Sequence, residues 1–449
     1  MRPSLVLLAG LTPLLSSCSP DPSSRNHPAA SLEGPDRPLA WTAQEVYAVG
    51  GFDAPEWATF GEVQEVAFDG EGNLYILDGQ TARVTVVGPD GAPLRTFGGL
   101  GDGPGEIGTA LGMAVLADGR VVISDLGKRG LAVFDRSGEW LGNVPLELSE
   151  EGIPRNPRAL GAGNRVVASE SLRLRMSSGA GDVDVRRVRD TSRPVWSYPA
   201  APGDSAVLAY SAWAPPPPPA GGESSLESQT GSGGAVSIRM ARTQAFEPAL
   251  HVAALPDGRL AVVDSVGYRI KLVRPGVGVE GVLERPKAPT PVTPTVQELE
   301  RTRRLDAIVG GNTRLQVLGG GGPAGGVALN PDAVRRMMED QVANLAFFPE
   351  IPVVEALAAD PLGRIWVQRS AARPGDEGPT DVLSADGRYL GTLPPDGLRI
   401  PDAFGPGGLA AIIKTDDLDV STIRVVRLGP VNPGGSTPPA GARPPPSAP

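Results

Sequence analysis

The sequence predicts an all-β fold: a six-bladed β-propeller of four-stranded antiparallel blades, with a short helical insertion and an N-terminal strand that closes the last blade. Three observations point there. Residues 63–98 and 111–144 follow one plan: strand, Asp-Gly turn, strand ending in aspartate, loop, strand, Asp-Gly or Ser-Gly turn, strand. Residues 250–283 repeat it. Alternating apolar runs joined by tight turns are the mark of antiparallel meanders, and one four-stranded meander is one propeller blade. The second observation is a common register. When copies are anchored on the glycine of the first hairpin (Gly72, Gly119, Gly163, Gly258, Gly363 and Gly408), the residues five places earlier are Ala67, Ala114, Arg158, Ala253, Ala358 and Ala403. Innermost strands converge on the propeller axis, so small side chains are expected there. The third is closure. The last copy shows three strands, near 400–404, 409–413 and 422–428, while 45–51 precedes the first full copy without a blade of its own. That N-terminal strand should complete the final blade and remove an open sheet edge.

Composition agrees. Aromatic residues are only 5% while apolar residues reach 40%, mostly Val, Leu and Ala, and Gly (59) and Pro (48) are abundant, as many short strands and turns require. The net charge of −10 argues against nucleic acid as a partner.

Taken in chain order, residues 1–17 read as an export signal: Arg2, a brief apolar core from Leu5 to Leu15, then small residues. The core is too short to span a bilayer as a lasting helix. Leu15-Ser16-Ser17-Cys18 resembles the bacterial lipobox, which implies lipidation of Cys18 and membrane attachment through acyl chains. Ser19 follows the cysteine, and in proteins bearing that motif a non-aspartate there favours the outer membrane. The expected location is therefore the bacterial cell envelope, as an outer-membrane lipoprotein facing the periplasm or the cell surface. Cys18 is the sole cysteine, so no intrachain disulfide supports the fold, and cysteine-ligated zinc and thiol catalysis are excluded. Residues 18–38 are polar and Pro-rich and should form an unfolded tether. The propeller should occupy 39–429, interrupted by a Pro/Gly-rich loop at 214–234 and a helical insertion at 294–347, and residues 430–449 should be an unfolded tail. In the insertion, the Thr295/Glu298 spacing suggests a capping box and Asn330-Pro331 a second helix start. From there Val334, Met337, Met338, Val342 and Leu345 fall on one helical face, expected to pack on the propeller.

Candidate chemistry is sparse. Gly101, Gly103 and Gly105 are followed by a strand, not the helix that a phosphate-binding loop needs, so they read as a flexible link between blades. Asp78, Asp125 and Asp264 end second strands, where a carboxylate accepts backbone N–H groups of the next turn. Arg83 and Arg269 stand within reach of the first and third of them. Seven residues before the hairpin glycines stand Glu65, Gly112, Asn156, His251, Ala356 and Pro401. These positions open the innermost strands. Glu65, Asn156 and His251 could therefore converge at the channel mouth as a ligand site, since a carboxylate, an amide and an imidazole can hold a hard cation or polarise a small ligand. No catalytic set is recognisable, no metal-ligating cluster is assigned, and a three-histidine zinc site cannot form from His27 and His251 alone.

Residues 97–106 (FGGLGDGPGE), followed by LGMAVLADGRVVISDLGKRGLAVFDRSG, resemble the NHL repeat and bacterial six-bladed propeller lipoproteins. The resemblance covers residues 45–145 and 246–283 well and 355–428 loosely. It implies a partner-binding domain; a minority of NHL-type domains are lyases that hold a metal with histidines. Sugar-lactonase-like propellers place calcium near the channel mouth, which makes calcium the one cofactor to consider. The reading is a ligand-binding or protein-interaction module with its partner, a protein or small molecule, on the loop-rich face. The alternative is a metal-dependent hydrolase or lactonase at the channel mouth.

Overall fold

The computed structural model describes residues 29–161, 163–179, 182–187, 192–216, 223–229, 235–241, 244–309 and 331–430. Six four-stranded sheets form the ring. Blade 1 comprises Val63–Phe68, Leu74–Asp78, Arg83–Val87 and Pro93–Gly98. Blade 2 comprises Ala110–Val115, Val121–Asp125, Gly130–Phe134 and Trp140–Pro145. Blade 3 uses Arg158–Ala159, Arg165–Val167, Ser192–Pro199 and Val207–Trp213, and blade 4 uses His251–Ala254, Leu260–Val263, Arg269–Arg274 and Gly278–Glu284. Blade 5 comprises Val354–Ala359, Ile365–Arg369, Thr380–Leu383 and Tyr389–Leu393. In blade 6, Ala403–Phe404, Leu409–Thr415 and Ser421–Pro430 are completed by the N-terminal strand Trp41–Gly50, antiparallel to the third strand from Trp41↔Pro430 to Gly50↔Thr422.

The innermost strands carry the expected register. Ala67, Ala114, Ala253, Ala358 and Ala403 lie opposite Tyr75, Val122, Ala261, Trp366 and Ala411 on their second strands, always eight positions on. Each packs toward the following blade. Ala114 belongs to the apolar cluster between blades 2 and 3, Ala253 to that between 4 and 5, and Ala403 to that between 6 and 1. Ala67 and Ala358 pack against the clusters between blades 1 and 2 and between 5 and 6. The steric limit at these positions is thus the neighbouring blade. The core is a set of such slabs, one at every blade–blade contact, including that between blades 3 and 4. Blade 3 departs from the rule. Its first hairpin is one residue longer, with Arg158 opposite Val167, and Gly163 lacks the positive φ found at the other five anchor glycines.

Three segments differ from the sequence expectation. The tether was expected to run to residue 38, but residues 29–38 are docked: Ala29–Ser31 pair in parallel with Val282–Glu284 at the outer edge of blade 4, and Leu32 is buried in the slab between blades 4 and 5. Short stretches with few apolar residues can still dock when a sheet edge offers unpaired backbone groups. Residues 1–28, including Cys18, lie outside the described residues. The Pro/Gly-rich stretch 214–234 contains a strand, Glu223–Gln229, in an added sheet with Leu174–Gly179, Asp182–Arg187 and Ala235–Ala241. That sheet is inserted between the second and third strands and after the fourth strand of blade 3. The helical insertion forms α1 (Pro294–Val309) and α2 (Pro331–Ala343), but α1 is capped by Thr293, whose Oγ1 accepts the Val296 N–H at 3.4 Å, with Pro294 first in the helix. The cap therefore lies two residues before Thr295. Met337, Val342 and Leu345 are buried, and α2 packs on α1 and on Glu223–Gln229. Residues 310–330, with Asn330, and the tail 431–449 lie outside the described residues. Among the described residues, no helix is long and apolar enough to cross a membrane.

Candidate functional site at the channel mouth

The axis of the ring encloses a cavity of about 700 Å³, walled by the innermost strands of all six blades. A recurring irregularity shapes its mouth. The pairing register slips between Val63 and Glu65, between Ala110 and Gly112, and between Val354 and Ala356, so Gln64, Leu111 and Glu355 are bulged residues at equivalent places. Bulges re-aim side chains next to sites of function. Here the Gln64 amide swings to the next blade and donates to the Ala110 carbonyl at 2.8 Å.

Of the three residues expected to converge, two line this cavity. Glu65 is buried at 6% exposure, and burial raises the pKa of its carboxyl against the opposing effect of Arg158, with Asp402 adding to the rise. Asn156 is exposed and holds a left-handed backbone at φ 45, immediately before Pro157, where an extended conformation is preferred. Gly112 explains how the chain passes there: a Cβ on it would lie 2.7 Å from the Asn156 nitrogen. Asn156 also borders a second, more polar cavity of about 340 Å³ with Glu62, Gln64, Arg155, Ser169 and Glu170. His251 is not among the residues lining either cavity. It faces the Val354 backbone, with which it hydrogen-bonds, and burial lowers its pKa to about 4, helped by the Arg193 charge.

The residue missing from the sequence expectation is Arg158. It stands at the ring position that is alanine in the other five blades. From blade 3 it reaches past blade 2 to blade 1, where Nη1 donates to Glu65 Oε1 at 3.0 Å and to the Pro157 carbonyl at 3.1 Å. Its side chain is 47% exposed, against 7% for Glu65. Nε and Nη2 make no hydrogen bond among the described residues. The signal in the sequence was the break in the alanine series.

The other carboxylates on the cavity wall are mostly engaged. Asp69 accepts from the Glu71 and Asn73 N–H groups, the Asn73 amide and the Tyr75 hydroxyl. Asp360 accepts from the Leu362 and Arg364 N–H groups and the Trp366 indole. Asp402 accepts the Ile413 N–H at 2.7 Å on one oxygen. Among the described residues, no three of His, Cys, Asp and Glu gather to hold a metal. Glu65, bound by a guanidinium, with a remote His251 and one amide, is a poor donor set for calcium, which takes six or more oxygen ligands.

The strand-end aspartates are structural pins. Asp78 accepts N–H groups from Gly61, Glu62 and Gln80, and Asp125 from Gly108, Thr109 and Lys128, tying the entry of each inner strand to the end of the second. Asp264 accepts the Trp213 N–H and the Lys271 ammonium, both near 3 Å. Arg269 pairs with Glu284 at 2.9 Å and not with Asp264. In the glycine-rich link, Glu106 occupies the space above Gly101 and accepts the Gly103 N–H at 2.7 Å, so a carboxylate of the chain itself sits where an anion would.

No family model matches the chain. Over 97 residues it is 34% identical to NHL repeat-containing protein 3 of Mus musculus, a stretch that is 21% of this chain; the chain spans 28% of that relative's length. Among solved structures it is similar to a putative exported protein from Bacteroides fragilis, at 9% identity over 87% of this chain and 95% of the other, with a TM-score of 0.42. It is also similar to virginiamycin B lyase from Staphylococcus aureus, at 11% identity over 86% and 99%, with a TM-score of 0.34.

Proposed function

We propose that this propeller is a ligand-binding or protein-interaction module, held at the bacterial cell envelope by a lipid on Cys18, and that the channel mouth is its binding site. The observation that carries this reading is the open channel whose wall offers the Arg158 guanidinium, with Nη1 held by Glu65 and Pro157 and with Nε and Nη2 making no hydrogen bond among the described residues, beside carboxylates that are mostly engaged by donors of the chain. A preformed concave site with a few convergent polar groups suits recognition. General acid–base chemistry needs a titratable group within reach of substrate, and His251 is directed elsewhere. The hydrolase reading gains no support from this donor set.

The test of the module is in-cell cross-linking from a photoreactive residue introduced at Gln64, on the mouth, against one at Ala92, in an exposed turn on the rim. Adducts specific to Gln64 are expected; indistinguishable adduct patterns would remove the mouth as the site. The anchor is tested separately. Cys18→Ala should release the chain from the membrane fraction or leave it unprocessed, and a variant as membrane-bound as its parent would refute the lipid attachment.

A further inference from the structure

Arg158 is the feature that the fold does not require. Five blades show that an alanine satisfies its ring position, and those alanines also border the cavity beside it. Glu65 grips only Nη1, which fixes the plane of the guanidinium and leaves Nε and Nη2 as a pair of parallel donors. That edge of an arginine matches the two oxygens of a carboxylate in one plane. Asp402, also on the cavity wall, accepts the Ile413 N–H through one oxygen and has its other oxygen free of hydrogen bonds among the described residues. It can accept from a hydroxyl or amine. The net charge of −10 means that nothing generic about this chain draws anions to it, so anion recognition here must come from the local geometry.

We infer that the channel mouth binds a compact carboxylate bearing a hydrogen-bond donor, with Nε and Nη2 of Arg158 gripping the carboxylate and Asp402 accepting from the donor. This rests on the binding-module reading above and names the chemistry of its ligand. Glu65 has two effects: it orients the guanidinium and, being an anion beside it, limits how tightly a second anion binds.

The experiment is calorimetric titration of the full processed chain with malate, inorganic phosphate and choline. Malate should bind, phosphate more weakly, and choline not at all. Arg158→Lys keeps a cation for Glu65 but loses the planar fork, and should weaken malate by about tenfold. Glu65→Gln, nearly isosteric, removes the competing charge and should tighten malate by about tenfold, an effect that a purely structural arginine would not produce. Malate affinity unchanged in both variants would overturn the role of Arg158. Phosphate or choline binding better than malate would overturn the ligand class while leaving the module in place. If none of the three binds, the carboxylate assignment is wrong, and the cross-linking at Gln64 decides the module independently.

Discussion

Arg158 and His251 open the innermost strands of successive blades, yet one enters the channel and the other, half-buried, lies against a neighbouring blade. Both stand on the same side of their strands, two register positions apart, so the difference is reach: the arginine is long enough to extend to Glu65 of blade 1, whereas the shorter imidazole ends at the Val354 backbone of blade 5. A neutral His251 has a consequence for stability. Its folded pKa, about 4, lies below the ordinary value of 6.5, so its contribution is fully present above pH 6.5 and is lost as the pH falls toward 4. At most about 3 kcal/mol is involved. His251→Gln should flatten the pH dependence of urea unfolding across that window, and an unchanged slope would show that the imidazole is not desolvated. A stronger effect is expected at Asp264, whose carboxylate and the Lys271 ammonium are both buried. Asp264→Ala takes the buried carboxylate away from that ammonium, although its hydrogen bond to the Tyr210 hydroxyl stays, and should cost about 3–5 kcal/mol. Chemical denaturation reads it directly; a loss below about 1 kcal/mol would contradict the buried pairing.

At the scale of elements, the parts of the fold legible in the sequence are those fixed by local turn chemistry. Gly72, Gly119, Gly258, Gly363 and Gly408 all adopt positive φ, which is why a hairpin glycine could serve as a common anchor. The bulges at Gln64, Leu111 and Glu355 left no such mark, because a bulge inserts one residue without demanding a particular side chain. Blade 3 was legible only as a rhythm, since its second and third strands are separated by Leu174–Gly179 and Asp182–Arg187, which pair with strands from beyond the blade. The same limit applies to the site: Glu65 and Asn156 followed from register, whereas Arg158 became meaningful only once its reach across blade 2 was visible. The alanine series offers a test of the element itself. Ala67, Ala114, Ala253, Ala358 and Ala403 face the next blade, so enlarging any one to Leu should cost about 1–3 kcal/mol from overpacking. Ala92→Leu, in the exposed turn of blade 1, should change stability by no more than about 0.5 kcal/mol. Ring variants as tolerant as Ala92→Leu would mean that the blade contacts yield freely.

For the whole molecule, the N-terminal segment is a fastening that crosses three blades. It lies beside Val282–Glu284 of blade 4, then joins blade 5, where the Thr392 N–H donates to the Arg37 carbonyl and the Leu39 N–H to the Thr392 carbonyl, both at 2.8 Å. It finally becomes the outer strand of blade 6. Asp36 sits between blades 4 and 5, accepting from Arg285, Lys287 and Arg369 at 3.1, 2.9 and 2.6 Å. Burial raises its pKa, but the Lys287 and Arg369 hydrogen bonds more than offset this and lower it to about 2. Further on, Trp41 meets the Trp366 ring edge-on at 5.3 Å and lies under the Arg364 guanidinium. The two halves of the fastening should therefore differ in weight. A chain beginning at residue 39 loses Leu32 from its slab and leaves Arg285 and Arg369 to share Asp381. Because Asp36 is 37% exposed, the ion-pair loss is discounted, and the total should be about 2–4 kcal/mol. A chain beginning at residue 52 loses the outer strand of blade 6 as well, exposing the edge of Ser421–Pro430 and the Trp366 face. It should melt far lower and less cooperatively and aggregate through the open edge. Thermal unfolding of the two truncations beside the parent gives the ordering, and a chain from residue 52 that melts with its parent would show that the ring does not depend on this closure.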